Sequence, residues 1–212
     1  MHHSITNLVS IQNKLKTLKT NIIAVSKTFP VSEILPLVNQ QHLHFGENKV
    51  QEAVEKWPKI KQDYKDIKLH MIGRLQTNKV KFVIPLFDYI HSLDSLKLAK
   101  KIYEEQNRIK KNLKIFIQVN IGNEPQKAGL NISDLKNFYE KCTQELKLNI
   151  IGLMCLPPQY RLAKNYFNQM VELKKTINVE DLSMGMSEDY LEAVACGTTY
   201  IRIGSKIFGD RS

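Results

Sequence analysis

The chain has 212 residues, of which 42% are hydrophobic and 25% charged, and its formal net charge is +10. This composition is typical of a folded globular protein and excludes a disordered chain. No run approaches the roughly 18 to 20 consecutive apolar residues of a membrane-spanning helix. The first ten residues, MHHSITNLVS, lack the basic and then apolar pattern of a secretory signal, so we expect a cytoplasmic protein.

The cysteines, histidines and charges do not form the pattern of a metal site or a nucleic-acid site. The three cysteines lie far apart, and the six histidines include no HExxH motif. We therefore expect reduced thiols, no metal, and buried histidines that have hydrogen-bond partners. The positive charge suits an anionic ligand such as a phosphate. Its lysines are spread along presumed helices, so we expect solvated helix faces and no nucleic-acid partner.

Apolar residues at helical spacing predict a leading helix from Ser4 to Leu18, within a leading segment of residues 1–20. Beyond it, short apolar runs alternate with amphipathic segments, which is typical of parallel β/α architecture. The predicted strands, in chain order, are Ile22–Ser26, His42–Phe45, Leu69–Ile72, Tyr89–His91, Lys114–Asn120, Ile150–Met154, Leu182–Ser183 and Thr199–Ile203. The predicted helices are Val31–Val38, Lys49–Lys56, Gln76–Phe82, Ser95–Lys110, Ser133–Thr143, Gln159–Lys174 and Glu188–Ala195, and a short final turn follows Ser205.

This order of elements predicts an α/β fold, a (β/α)8 TIM barrel at the small end of its size range. No linker, low-complexity tract or fixed repeat divides the chain, so we expect a single domain over residues 1–212. A doubly wound open sheet is the alternative. In a barrel, the chemistry lies at the C-terminal ends of the strands, and polar residues do follow the predicted strands there.

Lys27 directly follows the first predicted strand. A lysine at that position projects into the mouth of the barrel, where desolvation disfavours the charged ammonium and lowers its pKa. The neutral amine that results can form a Schiff base with an aldehyde. The alternative is an ordinary surface lysine.

Two glycine turns follow the last two predicted strands. In the first, Ser187 is predicted to cap a helix that begins near Glu188. In the second, Gly204 lets a ligand approach the backbone closely, and Ser205 is predicted to cap a short final helix. Backbone N–H groups at such helix starts bind anions, and barrel enzymes often hold a phosphate after their last two strands. These turns therefore predict a phosphate site, with two ordinary capping turns as the alternative.

Arg202 lies in the last predicted strand, between two isoleucines that we expect to pack outward. Strand alternation then points Arg202 into the barrel, where a cation needs an acceptor. A ligand atom is one candidate. A structural ion pair with Glu47 or Asp210 is the other.

Seven segments in family order, covering residues 24 to 209, resemble the pyridoxal phosphate homeostasis proteins, a family related to the barrel domain of alanine racemase. The matching segments are Ala24-Val25-Ser26-Lys27-Thr28, Phe45-Gly46-Glu47-Asn48-Lys49-Val50-Gln51-Glu52, His70-Met71-Ile72-Gly73-Arg74-Leu75-Gln76-Thr77-Asn78-Lys79, Gln118-Val119-Asn120, Gly152-Leu153-Met154, Leu182-Ser183-Met184-Gly185-Met186-Ser187 and Ile201-Arg202-Ile203-Gly204-Ser205-Lys206-Ile207-Phe208-Gly209.

The resemblance implies that Lys27 carries pyridoxal 5'-phosphate (PLP) as a Schiff base and that Arg202 faces the pyridine nitrogen. An arginine partner leaves that nitrogen unprotonated, which weakens the ring as an electron sink. Asn48 and Met184 line the ring pocket in this reading. The phosphate is held by Ser187, Gly204 and Ser205.

The resemblance also implies a monomeric barrel that keeps cellular PLP (vitamin B6) in balance without robust turnover, with PLP-dependent apoenzymes as recipients. One alternative is a PLP-dependent racemase with weak activity. We expect it to be disfavoured, because the alanine racemases take their second base from an additional domain and this chain stops at its eighth strand. Another is a phosphosugar barrel enzyme with Glu47 as base. The chain has Arg74 where the family usually has histidine, and we attach no function to Arg74.

Overall fold

The computed structural model describes residues 2–15, 19–158 and 162–209. Its eight strands form a closed parallel barrel in chain order, in which each strand pairs with the next and the last pairs with the first. The predicted (β/α)8 barrel is therefore confirmed, and it is a single α/β domain. The strands are β1 Asn21–Val25, β2 His44–Glu47, β3 Lys68–Met71, β4 Tyr89–Leu93, β5 Lys114–Val119, β6 Ile150–Cys155, β7 Asp181–Ser183 and β8 Tyr200–Ile203.

Helices surround the barrel, as alternation in the sequence predicts. Within the described residues they are α1 His3–Lys14, α2 Val31–Asn39, α3 Val50–Asp63, α4 Val80–Leu86, α5 Leu96–Ile109, α6 Leu135–Glu140, α7 Ala163–Thr176, α8 Tyr190–Ala195 and α9 Ser205–Phe208. Short 3-10 turns precede α4 and α6, and a π-helical turn, Lys141–Glu145, extends α6. None of the described helices combines the length and the apolar character needed to cross a membrane.

The bounds of α5 show how the sequence sets an element locally. The Oγ of Ser95 accepts a hydrogen bond from the backbone N–H of Leu98 at 3.4 Å, which caps the start of the helix. Lys110 ends the helix in the left-handed conformation, with φ of 54°. The predicted helix Ser95–Lys110 therefore coincides with α5 and its two caps.

The leading helix and the helix before β7 differ from their predicted bounds. The first ends at Lys14, before the predicted end at Leu18, and residues 16–18 lie outside the described part of the chain. The helix predicted from Gln159 begins at Ala163, and residues 159–161 also lie outside the described part.

Two differences near the second strand have a clear physical reason. Strand β2 begins at His44 rather than at His42, because its partners on β3 start level with His44. Helix α3 does not end at Lys56 but continues through Pro58 to Asp63. Proline disfavours a helix interior, yet α3 buries Trp57 against the barrel, and this packing outweighs the lost backbone hydrogen bond.

The core has two layers. Most buried apolar side chains lie between the strands and the surrounding helices, and the largest of them is Trp57. A smaller cluster of buried residues is separate from that layer and comes from five different strands. Its members are Ile23, Tyr89, Phe116, Met154 and Tyr200. The interior of the barrel is therefore filled by side chains and is not a pore.

Candidate functional site

Lys27 lies in the turn that follows β1, at the C-terminal end of the barrel, and is partly buried. The next residue, Thr28, has a φ of 70°. This left-handed conformation is unfavourable for a β-branched residue and persists only where the surroundings hold it. The carboxylate of Glu52 accepts a hydrogen bond from the N–H of Thr28 and so contributes to holding the turn.

A buried network supports this turn from the helix side. Glu47 Oε1 accepts hydrogen bonds from Ser26 Oγ at 2.8 Å and from Trp57 Nε1 at 3.0 Å. Lys56 Nζ lies 2.7 Å from the same oxygen and also donates to the backbone oxygens of Ser26 and Phe29, at 2.9 and 3.3 Å. Burial raises the pKa of Glu47, against the lowering effect of the Lys56 cation. Glu47 therefore serves the turn that carries the candidate lysine.

Asn48 follows β2 at the same end of the barrel. Its side-chain oxygen is buried and has no hydrogen-bond partner in the described part of the chain. A Cβ added to Gly73 would lie 2.2 Å from the backbone oxygen of Asn48, so only glycine permits the close approach of the two segments. A buried acceptor without a partner is costly in a folded protein, and it marks Asn48 as a candidate ligand contact.

The segment after β7 makes a turn that requires glycine. Gly185 has a φ of 91°, and a Cβ there would lie 2.6 Å from the Cβ of Ala193. The prediction that Ser187 caps a helix starting at Glu188 is wrong. Helix α8 begins at Tyr190, and Asp189 closes the turn because its carboxylate accepts the N–H of Met186 at 2.6 Å.

The two predicted phosphate turns do meet in space. Ser205 Oγ lies 3.1 Å from Ser187 Oγ, although 18 residues separate them. Ser205 is the first residue of α9 and not its cap, because Gly204 accepts the first backbone hydrogen bonds of that turn, from Ile207 and Phe208. A Cβ at Gly204 would come no closer than 3.5 Å to any atom, so packing within the protein does not require glycine there.

Arg202 points into the barrel, as strand alternation predicts, and is 4% exposed. Its Nη1 donates to Ser183 Oγ at 2.6 Å, and its Nη2 donates to the backbone oxygen of Cys155 at 2.9 Å. No carboxylate of the described residues lies within ion-pair distance, so the predicted alternative of a pair with Glu47 is wrong, and Asp210 lies outside the described residues. Desolvation lowers the pKa of this guanidinium. A buried cation with N–H groups to spare is suited to an uncharged acceptor or an anion.

The structure places the other predicted site residue, Met184, in the apolar core directly after β7, where it is fully buried. Sequence reasoning missed Ser183, which contacts Arg202, and His91, whose Nδ1 lies 2.9 Å from Ser183 Oγ. Alternation along β7 is the signal that could have found Ser183, because Leu182 packs outward in the core. His91 came with no local signal, because 92 residues separate it from its partner.

The chain is similar to known proteins over nearly its whole length. Residues 3–212 match the family described as alanine racemase, N-terminal domain. A pyridoxal phosphate homeostasis protein of Haemophilus influenzae is 35% identical over an alignment of 225 positions, gaps included, which covers 97% of this chain and 95% of that protein. The chain belongs to the pyridoxal phosphate homeostasis protein family. The structure of its relative PipY from Synechococcus elongatus, with PLP bound, matches with a TM-score of 0.88 and 33% identity over 97% of this chain and 100% of that one.

The family relation extends at the level of fold to alanine racemase. The enzyme of Clostridium difficile matches 99% of this chain with a TM-score of 0.76, at 16% identity, and the match covers 57% of the enzyme. Arg74 is exposed.

Proposed function

We propose that this protein binds PLP at the C-terminal end of its barrel, as a Schiff base on Lys27, and serves PLP homeostasis. The observation that carries the proposal is Arg202, a buried guanidinium without an ion pair among the described residues, at the barrel end where Ser187 and Ser205 meet. The family relation and the PLP-bound relative support it. When bound, the cofactor supplies an aldehyde for the lysine, a phosphate and a pyridine ring.

The residues fit both ends of such a ligand. Ser187 and Ser205 present two adjacent hydroxyls, and Gly204 lets an anion approach the backbone where the protein itself leaves space. At the ring end, Asn48 offers a buried oxygen without a partner among the described residues, and we propose a second ring contact from Met184, which is fully buried directly after β7. These features support a phosphate contact and a ring contact on neighbouring strand ends.

Arg202 favours holding the cofactor over catalysis. An arginine guanidinium stays protonated in proteins, so Arg202 would donate a hydrogen bond to the pyridine nitrogen and leave that nitrogen without a proton. An unprotonated ring is a weak electron sink, and carbanion chemistry needs a strong one. We therefore propose a carrier or regulator of PLP that is not an enzyme.

The wider role follows from the same proposal. Residues 1–212 act as one PLP-binding domain and work as a monomer in the cytoplasm. PLP-dependent apoenzymes receive the cofactor, and neither nucleic acid nor membrane is a partner.

The test is the absorbance spectrum of the purified protein after addition of PLP, followed by borohydride reduction and peptide mapping. We expect a Schiff-base band and a single labelled lysine, Lys27. Lys27→Ala should remove the band, and Lys49→Ala, which changes an exposed lysine near the same end of the barrel, should keep it. A retained band in Lys27→Ala, or label spread over surface lysines, would refute the assignment.

The alternatives have separate readouts. In the phosphosugar proposal Glu47 is the base, but this residue is fully buried and bonded to Trp57 and Lys56 of α3. The racemase proposal is tested by incubating the PLP-loaded protein with L-alanine. Turnover of about 1 s⁻¹ or more, the lower range of ordinary enzymes, would overturn the carrier role.

A further inference from the structure

Three histidines form a continuous hydrogen-bond chain inside the barrel, which we call the histidine column: His44, His70 and His91. His44 Nδ1 lies 2.9 Å from His70 Nε2, and His70 Nδ1 lies 2.9 Å from His91 Nε2. At the upper end, His91 Nδ1 lies 2.9 Å from Ser183 Oγ, the group to which Arg202 donates.

The stagger of the strands places these residues one above another. His70 of β3 is level with Gly46 of β2, two residues beyond His44, and His91 of β4 lies two residues beyond the partner of His70, Tyr89. Side chains two residues apart on a strand share a face, so the column rises one inward-facing layer at each strand. It leads from the N-terminal end of the barrel towards Arg202.

Aromatic rings hold the two upper imidazoles in place. Tyr89 stacks on His70 with ring centroids 4.1 Å apart, and Phe116 stacks on His91 at 4.3 Å. Both histidines are fully buried, and both of their ring nitrogens have hydrogen-bond partners. A barrel interior is normally filled by branched apolar residues, so packing alone does not account for three hydrogen-bonded histidines inside this barrel.

The contact with Arg202 decides which group donates in each hydrogen bond of the histidine column. Ser183 Oγ accepts a hydrogen bond from the guanidinium. Among the described residues, the one group left to accept the hydroxyl proton of Ser183 is His91 Nδ1. The hydroxyl therefore donates to His91, and a neutral His91 carries its proton on Nε2 and donates to His70. His70 in turn donates from Nε2 to His44. Every dipole of the column then has its negative end towards the Arg202 cation, an arrangement that stabilises a buried charge.

We propose that His44, His70 and His91 are positioning residues for Arg202. Through Ser183 they hold the guanidinium in the orientation that leaves its remaining N–H groups for the ring of the ligand. This inference rests on the proposed function, because it assigns the interior of the barrel a role in presenting Arg202 to bound PLP.

The charges around the column favour neutral rings. Burial lowers the pKa of His91, and the Arg202 cation lowers it further. Burial likewise lowers the pKa of His44 to about 4, with the cations of Lys68 on β3 and Lys114 on β5 acting in the same direction and Asp88 opposing them. His70 lies between two such rings, and its pKa is also lowered by burial and by His91.

The first test reads the column directly, without cofactor. In the full-length protein with ¹⁵N-labelled histidine, long-range ¹H–¹⁵N spectra at pH 7 distinguish the two neutral tautomers and the cation. We expect His44, His70 and His91 each to carry one proton, on Nε2. Ser183→Ala removes the donor to His91 and should bring out the Nδ1-protonated form of that residue. A cation in the column, or an Nδ1–H tautomer in the unchanged protein, would overturn the proposal.

The second test reads the effect on Arg202. His70→Phe keeps a planar ring on Tyr89 but breaks both hydrogen bonds of the column, and Ser183→Ala breaks the uppermost one. We expect each variant to shift the absorbance maximum of bound PLP and to weaken PLP binding about 10-fold, as for a lost hydrogen bond to a charged group. The matched control is His42→Gln. In the described part of the chain its ring bonds the backbone of His44 and of Ile22 and none of the column's imidazoles, so the band and the affinity should not change.

The outcomes separate the two proposals. Failure of the unchanged protein to bind PLP would refute the proposed function, and the tautomers would still decide the direction of the column. Normal PLP binding with the same band in Ser183→Ala and in folded His70→Phe would refute the positioning role. Circular dichroism tests whether each variant folds. If His70→Phe does not fold, Ser183→Ala, the smaller change, decides between the outcomes.

Discussion

Partly and fully buried histidines should make this protein sensitive to mild acid. Burial lowers the pKa of His42 and of His44 from 6.5 to about 4 in the folded protein. Below pH 6.5 the unfolded chain therefore binds protons that the folded protein does not, so stability is lost as the pH falls from 6.5 towards 4. Glu47 contributes to the pH dependence of the free energy of unfolding with the opposite sign, because its raised pKa favours the folded state as the pH falls.

The magnitude follows from the linkage relation. A histidine with these two pKa values destabilises the folded state by about 2 kcal/mol between pH 8 and pH 5, so His42 and His44 together account for about 4 kcal/mol. Burial also lowers the pKa of His70 and of His91, so both act in the same direction. The contribution of His42 and His44 alone is a large part of the roughly 5 to 15 kcal/mol by which domains are stable.

The assay is urea unfolding of the protein without cofactor at pH 8 and pH 5, followed by the fluorescence of Trp57, the only tryptophan and fully buried. We expect a loss of at least about 4 kcal/mol in the free energy of unfolding at the lower pH. His44→Gln should reduce this pH-dependent loss by about 2 kcal/mol, whatever its effect at pH 8. His3→Gln, which changes an exposed residue, should leave it as it is. A loss below about 1 kcal/mol, or the same loss in His44→Gln, would refute the reasoning.

Three further predictions test single contacts. Gly185→Ala should destabilise the protein by about 1 to 3 kcal/mol in urea unfolding followed by circular dichroism, because the new Cβ meets Ala193 and the φ of 91° is unfavourable; an unchanged midpoint would contradict it. Trp57→Phe should reduce the free energy of unfolding by about 1 to 3 kcal/mol, because it removes a hydrogen bond from buried Glu47, and an equal stability by circular dichroism would count against that role. Ellman's reagent should modify Cys196 in the native protein, whereas the other two cysteines, which are fully buried and whose pKa burial raises to about 12, should react only after unfolding; rapid reaction of all three would contradict the buried positions.

The sequence by itself determined the architecture and most of the polar residues at the barrel end. Strand and helix periods are local properties, so eight strands and their helices could be recognised from alternation alone. The strand predicted at His42–Phe45 was displaced by two residues, yet its inward and outward faces were unchanged, because side chains repeat every two residues. Arg202 could be placed inside the barrel for the same reason.

Only the tertiary structure decided how these residues are held. Glu47 reads in sequence as a candidate base, but its partners are Ser26, next to Lys27, and Trp57 and Lys56 of α3, which make it a support for the Lys27 turn. His44, His70 and His91 read as three separate buried residues, and their alignment depends on the stagger between strands. Such contacts join segments far apart in the chain, and their geometry is set by the closure of the barrel. No local pattern encodes that closure, because it arises from the packing of the whole domain.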